Sequence, residues 1–165
     1  MMALSQTTGY AVMALGCLAA PDCASQRVEQ IAAATGIPRP YLAKIFNDLQ
    51  RHGLVVAKRG YKGGVQLARA ASQITLFQIV EAVDGPDWIG DCMLGGEVCG
   101  EAHLCPTAPF WEKTRAAIIA ELQRVTVEDV MRARAGAGAS APRQAPPAVR
   151  PAKRRGRPGR RQLII

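Results

Sequence analysis

Three cysteines, Cys92, Cys99 and Cys105, carry the most chemistry in this chain. They lie in Asp91-Cys-Met-Leu-Gly-Gly-Glu-Val-Cys-Gly-Glu-Ala-His-Leu-Cys-Pro106, with six and then five residues between them. Thiolates are soft ligands that favour iron–sulfur clusters, zinc or copper(I), and the intervening glycines let the backbone fold around an ion. Zinc prefers closed four-ligand sites, often built from close cysteine pairs, and this spacing contains no C-x2-C pair. Three thiolates suit an iron–sulfur cluster (2Fe–2S or 4Fe–4S) with a weak or exogenous fourth ligand, which leaves one iron open to small molecules. His103, two residues before Cys105, is the candidate fourth ligand, and Asp91, Glu97 and Glu101 are also near. Zinc and metal-free redox thiols remain the alternatives. A thiol enzyme would need a low-pKa cysteine with an acceptor pocket, and the loop offers no C-x-x-C, so no catalytic residue is assigned. Cys17 reads as packing on an apolar helix and Cys23 as a loop thiol.

The elements around this loop follow from periodicity and punctuation. Tyr10, Ala11, Ala14, Leu15 and Leu18 have helical spacing, with Thr7 or Thr8 as a cap and Pro21-Asp22 as the stop. A second helix covers roughly 27–34 and ends at Gly36. Pro38-Arg-Pro40 opens a third, whose apolar stripe is Tyr41, Leu42, Ile45, Phe46 and Leu49 and whose end is Gly53. Two β-prone runs within 54–68 flank a basic, glycine-rich turn, which predicts a hairpin. Leu76 to Val83 forms a short helix after Ser72 or Thr75. Beyond the cysteines a long helix runs from about Thr107 to Arg124. Thr126-Val-Glu-Asp129, a capping box with Asp for the usual Glu, starts a last helix to about Ala133. The fold class is mainly α, a winged helix-turn-helix with a small β-hairpin wing and a long C-terminal helix. Residues 1–69 are expected to form a winged helix-turn-helix DNA-binding unit and 70–133 the cysteine loop and long helix of the same domain. Residues 134–165 form a basic tail without apolar periodicity, which reads as disordered.

Charge supports this division. The formal net charge is +8 over 165 residues. Residues 132–165 contain ten Lys or Arg and no acids, 27–69 carry a net +6, and 70–131 carry a net −7. Two separate basic surfaces next to an acidic segment point to nucleic acid as the partner. The apolar stretch from Tyr10 to Ala20 is shorter than the ~20 residues a membrane span needs. Five cysteines, an odd number, and no leader-like N-terminus favour a reducing cytoplasm. No membrane and no small-molecule substrate are expected.

The helix from Arg39 should enter the major groove N-terminus first. Arg39 and Lys44 can contact phosphate or guanine, Asn47 an adenine edge, and Tyr41 a phosphate or thymine methyl, although Tyr41 can equally pack on a neighbouring helix. Lys58, Arg59, Tyr61 and Lys62 form a cationic wing tip. In the tail, Lys153-Arg-Arg-Gly-Arg-Pro-Gly-Arg-Arg161 resembles an AT-hook. Its core, Arg155, Gly156, Arg157 and Pro158, suits a narrow A/T-rich minor groove, with a nonspecific polyelectrolyte tail as the alternative.

Gly9-Tyr-Ala-Val12, Ile37-Pro-Arg-Pro-Tyr-Leu-Ala-Lys-Ile-Phe46, Lys58-Arg-Gly-Tyr-Lys-Gly-Gly-Val-Gln-Leu-Ala68 and Ile74-Thr-Leu-Phe-Gln-Ile-Val-Glu-Ala-Val-Asp-Gly85 closely resemble the Rrf-two family, which includes IscR-like and NsrR-like bacterial regulators. The resemblance covers about residues 2–132. It implies a homodimer on palindromic double-stranded promoter DNA, with the long C-terminal helices crossing at the interface as the dimerisation helices and Cys92, Cys99 and Cys105 in the cluster-ligand positions. IscR-like members carry a histidine where this chain has Ala108, and some NsrR-like members take a ligand from the partner's first helix about where it has Gly9. The expected function is a transcription regulator, of repressor type, sensing redox state, nitric oxide or iron–sulfur status. A cluster-free thiol sensor and an architectural DNA-binding protein are the alternatives.

Overall fold

The computed structural model describes residues 4–20, 25–58, 60, 63–94 and 105–136. Among them run α1 Gln6–Leu18, α2 Val28–Thr35, α3 Arg39–Arg51, β1 Val55–Lys58, β2 Gly64–Leu67, α4 Leu76–Asp84, α5 Ala108–Arg124 and α6 Val127–Gly136. A single 3-10 turn, Ala71–Gln73, precedes α4 and has no periodic signature in the sequence. None of the described helices is long and apolar enough to cross a membrane.

The cap of α1 differs from the expected Thr7 or Thr8. Ser5 is the N-cap, and its Oγ accepts from the Thr8 N–H at 3.0 Å. Thr8 is 1% exposed, and its hydroxyl donates instead to Asp84 Oδ2 at 2.7 Å. Ser5 Oγ contacts Asp84 Oδ1 at 2.7 Å, so the last residue of α4 ties down the first turn of α1. The Thr8–Asp84 bond, between residues 76 apart in sequence, takes the hydroxyl that local capping would have used.

Gly36, with φ 71°, ends α2 in the left-handed conformation that glycine adopts without a Cβ penalty. Thr35 Oγ1 donates to the Ile31 carbonyl at 2.6 Å and accepts from the Ile37 N–H at 3.3 Å, which fixes the tight turn into α3. Thr75 caps α4 in a full capping box with Gln78. The Asp-containing box also forms: Asp129 accepts from the Thr126 N–H at 2.9 Å, and Thr126 Oγ1 accepts from the Asp129 N–H at 3.2 Å. The helix it starts, α6, runs three residues past the expected Ala133.

One core joins these elements. Leu15 from α1, Ile31 from α2, Leu42, Ile45 and Leu49 from α3, Val65 from β2, Ile74, Ile79 from α4 and Val127 from α6 belong to a single buried cluster. Packing therefore runs continuously across position 69/70. Leu42, Ile45 and Leu49 are at most 1% exposed and set the rotation of α3. Turning that stripe to solvent would forfeit about 1.5–3 kcal/mol for each side chain, so the opposite face is held outward. The hairpin pairs Val55 with Leu67 through Lys58 with Gly64, and Gln26 bridges Val65 from the other side. A Cβ on Gly64 would lie 2.7 Å from the Gln26 carbonyl oxygen, so this crossing requires glycine.

Helix α5 is packed differently. Only Trp111 and Leu122 are buried along its 17 residues, and Phe110 is 59% exposed. Its end is pinned to the start of α4 by backbone bonds from Leu76 N–H to the Val125 carbonyl and from Val127 N–H to the Ile74 carbonyl, each 2.9 Å.

Candidate functional site

The outward face of α3 presents Arg39, Tyr41, Ala43, Lys44 and Asn47, all exposed. Tyr41 also packs edge-on against Tyr10 of α1, with ring centroids 6.1 Å apart and planes at 89°. Gln6 Nε2 donates to the Tyr10 hydroxyl at 2.9 Å and steadies that ring. Tyr41 thus joins α1 to α3 while keeping an exposed edge. Lys58, at the end of β1, is exposed; Arg59, Tyr61 and Lys62 lie outside the described residues.

Between the N-termini of α2 and α3 and the wing lies an open groove of about 780 Å³ lined by Arg27, Glu29, Arg39, Lys58, Gly60 and Gly64, among others. Arg39 is ion-paired with Glu29 across the α2–α3 turn. The sequence alone does not single out Arg27 or Glu29, because neither belongs to α3. Their one signal is position: they begin the helix that precedes it.

The cysteine loop is held at both ends by the first half of α5. The Trp111 indole N–H donates to the Gly90 carbonyl at 3.0 Å, and Arg115 pairs with Asp91 at 3.1 Å. Cys92 follows directly. At the other end, Cys105 lies in the turn that starts α5, and its carbonyl accepts from the Ala108 N–H at 3.1 Å. Its Sγ is 3.1 Å from Thr107 Oγ1. The Thr107 hydroxyl, and after it the Thr107 and Ala108 backbone N–H groups, hold the Cys105 thiol below its ordinary range, while burial and the neighbouring Cys92 side chain oppose this. Hydrogen bonds to sulfur at a helix start favour the thiolate, the form that binds metal.

Asp91 is engaged as a strap to α5. Gly9 is exposed on α1, with no atom within 4 Å of where a Cβ would stand, and Ala108 is half-buried in the first turn of α5. Neither position supplies a donor side chain. Among the described residues no three His, Cys, Asp or Glu side chains form a metal site. Cys99, His103, Glu97 and Glu101 lie outside those residues, as do Cys23 and the tail core Arg155, Gly156, Arg157 and Pro158. Cys92 and Cys105 are the described members of the triad, and their soft sulfur donors are of the kind an iron–sulfur cluster takes, with the Cys105 thiol held below its ordinary range. Cys17 packs against the core, as its place on α1 implied.

Comparison with known proteins gives a consistent picture. The model of the Rrf2 family, described as iron-dependent transcriptional regulator, matches residues 4–133. The aau3 protein of Rhizobium meliloti is 37% identical over 134 residues, covering 81% of this chain and 87% of that protein. A protein of Synechocystis assigned as an HTH-type transcriptional regulator is 45% identical over 130 residues, covering 78% and 87%. Among solved structures, IscR of T. potens superposes with a TM-score of 0.66 at 26% identity, covering 85% of this chain and 93% of that one. The global cysteine regulator CymR of B. subtilis superposes with a TM-score of 0.67 at 23% identity, covering 81% and 98%, which supports the fold.

Proposed function

The chain belongs to the Rrf2 family of DNA-binding transcriptional regulators, and from that premise we propose that it is a homodimeric repressor whose DNA affinity depends on an iron–sulfur cluster held by Cys92, Cys99 and Cys105. It is a regulator and not an enzyme. The observation that carries the sensing reading is the cysteine loop itself: Gly90 and Asp91, just before Cys92, are strapped to Trp111 and Arg115 of α5, and Cys105 is bonded into the turn that starts the same helix. A cluster bound there would supply an iron accessible to nitric oxide or oxidants, and His103 is the candidate fourth ligand.

A chain of contacts supports communication from this loop to DNA. The segment that leads to Cys92 leaves α4 at Asp84, which grips Ser5 and Thr8 at the start of α1. Two residues on, Tyr10 packs on Tyr41 of the recognition helix. Palindromic half-sites lie about one helical turn apart, so a small change in the relative placement of two recognition helices strongly alters affinity. Dimerisation is supported by the apolar groove on α5 lined by Phe110, Ala117, Ile118 and Leu122. Arg39, Tyr41, Lys44, Asn47, Lys58, Arg59 and Lys62 are the proposed DNA contacts. The division at 69/70 separates DNA reading from sensing and dimerisation. The tail, with Arg155, Gly156, Arg157 and Pro158, adds salt-dependent minor-groove affinity. The site of action is the bacterial nucleoid.

Anaerobic purification with visible absorption and iron and sulfide analysis, on wild type and Cys92→Ala, tests the cluster. A colourless, iron-free wild type after reconstitution would sink it. Equal DNA affinity in loaded wild type and Cys92→Ala would sink the coupling and leave an architectural role.

A further inference from the structure

Glu29 stands out on the DNA-facing groove. Residues 27–69 contain only two acids, Glu29 and Asp48. Asp48 lies near the far end of α3 and pairs with Arg51 at 3.6 Å. Glu29 alone among the described acids lines the cationic groove between helix and wing. A carboxylate beside a phosphate backbone opposes binding by like-charge repulsion and lowers nonspecific affinity. Its partner is Arg39, the first residue of the recognition helix.

The geometry of the pair determines what Glu29 can do. One Glu29 oxygen, Oε1, accepts from Arg39 Nη2. A guanidinium has five N–H donors in a fixed planar fork, so this single contact leaves donors for a second, bidentate acceptor. Guanine presents such an acceptor pair, O6 and N7, in the major groove. The two side chains are 64% and 51% exposed, so the pair is screened and adds little to stability. Its position, however, limits the directions in which the long Arg39 side chain can point.

We propose that Glu29 is a specificity-determining residue: it orients Arg39 to read one guanine and keeps the same guanidinium from settling on a phosphate. The proposal rests on the DNA-reading assignment of α3. Glu29 also favours the N-terminal end of α2 by its charge, a structural effect that would leave base preference untouched.

The test uses the full chain and needs no known operator. Selection from a random duplex pool defines the preferred site of the wild type. Wild type, Glu29→Ala, Glu29→Gln, Arg39→Ala and the double variant are then titrated against that duplex and its single-base variants at several salt concentrations, with circular dichroism as a check on folding. Arg39→Ala is expected to lose at least about fivefold discrimination at one guanine position, the low end for a bidentate contact. Glu29→Ala should lose preference at that same position, bind scrambled DNA more tightly, and steepen the log-affinity against log-salt slope by about 0.9, one extra phosphate contact. Glu29→Gln, which keeps an acceptor oxygen, should retain more of the preference. In the Arg39→Ala background, loss of Glu29 should change no base preference. Discrimination within twofold of wild type in Glu29→Ala, or an equal effect of that change with and without Arg39, overturns the proposal. If wild type itself selects no preferred duplex, the DNA-reading assignment fails first, and the proposal falls with it.

Discussion

Replacing Trp111 with phenylalanine should loosen the cysteine loop without unfolding the domain. Trp111 is 8% exposed, and its indole N–H is bonded to the Gly90 carbonyl at 3.0 Å. Phenylalanine keeps most of the apolar contact and deletes the donor. A net hydrogen bond contributes about 0.5–1.5 kcal/mol, and the smaller ring gives up roughly 0.5 kcal/mol more of burial. The total is about 1–2 kcal/mol, which corresponds to a factor of about 5–30 in an equilibrium. The other strap cannot compensate. Asp91 and Arg115 have side chains 73% and 38% exposed, and such a pair is worth about 0–1 kcal/mol. Trp111 lies outside the central core cluster, so the cost falls on opening of the loop base. Hydrogen exchange of peptides covering residues 86–94 in metal-free protein should quicken by that factor, while the thermal midpoint moves by only a few degrees. Iron loss from reconstituted protein to a chelator should accelerate in parallel. Exchange within twofold of wild type, or a large drop in thermal midpoint with uniform acceleration, would refute the strap.

Phe110→Asp places a charge in the apolar groove of α5, so sedimentation should find a folded monomer with more than tenfold weaker binding to the selected duplex; a dimer of wild-type stability would place the interface elsewhere. Thr107→Val removes the hydroxyl that does most to lower the Cys105 thiol. Its pKa should rise toward the ordinary thiol range, and alkylation of the Cys105 peptide near neutral pH in metal-free protein should slow, as read by mass spectrometry; an unchanged pH profile would remove Thr107 from that role. Asp129 has its folded pKa depressed, first by the Thr126 hydroxyl and then by the Thr126 N–H. Its contribution to α6 is therefore present above the ordinary aspartate range and lost as pH falls through the depressed value. Acidification below about pH 4 should fray α6, and Thr126→Ala should shift that fraying to higher pH in amide exchange; identical acid profiles would contradict the capping assignment.

Much of the fold was legible because local chemistry and global packing agree. Gly36 and Gly53 adopt positive φ at the helix ends where glycine predicts it. The Thr126–Asp129 box forms although Asp is the less usual partner. The failure at α1 has a clear cause: Thr8 is a good local cap, but a carboxylate from α4 claims its hydroxyl. Tyr41 could not be resolved from sequence, since an i, i+4 stripe does not say whether a partly apolar ring meets DNA or a neighbouring helix. The structure makes it do the latter while leaving an edge exposed.

The three cysteines were visible at once because their spacing and softness are properties of the sequence alone. The order of helix, turn, helix and basic hairpin was equally a local matter, set by periodicity and by glycine and proline. Only the tertiary structure could show that Trp111 and Arg115 strap the loop to α5. It alone brings Glu29 against Arg39, ten residues away. Such pairings depend on distances between elements, and those are fixed by how the core packs, a property no window of sequence contains.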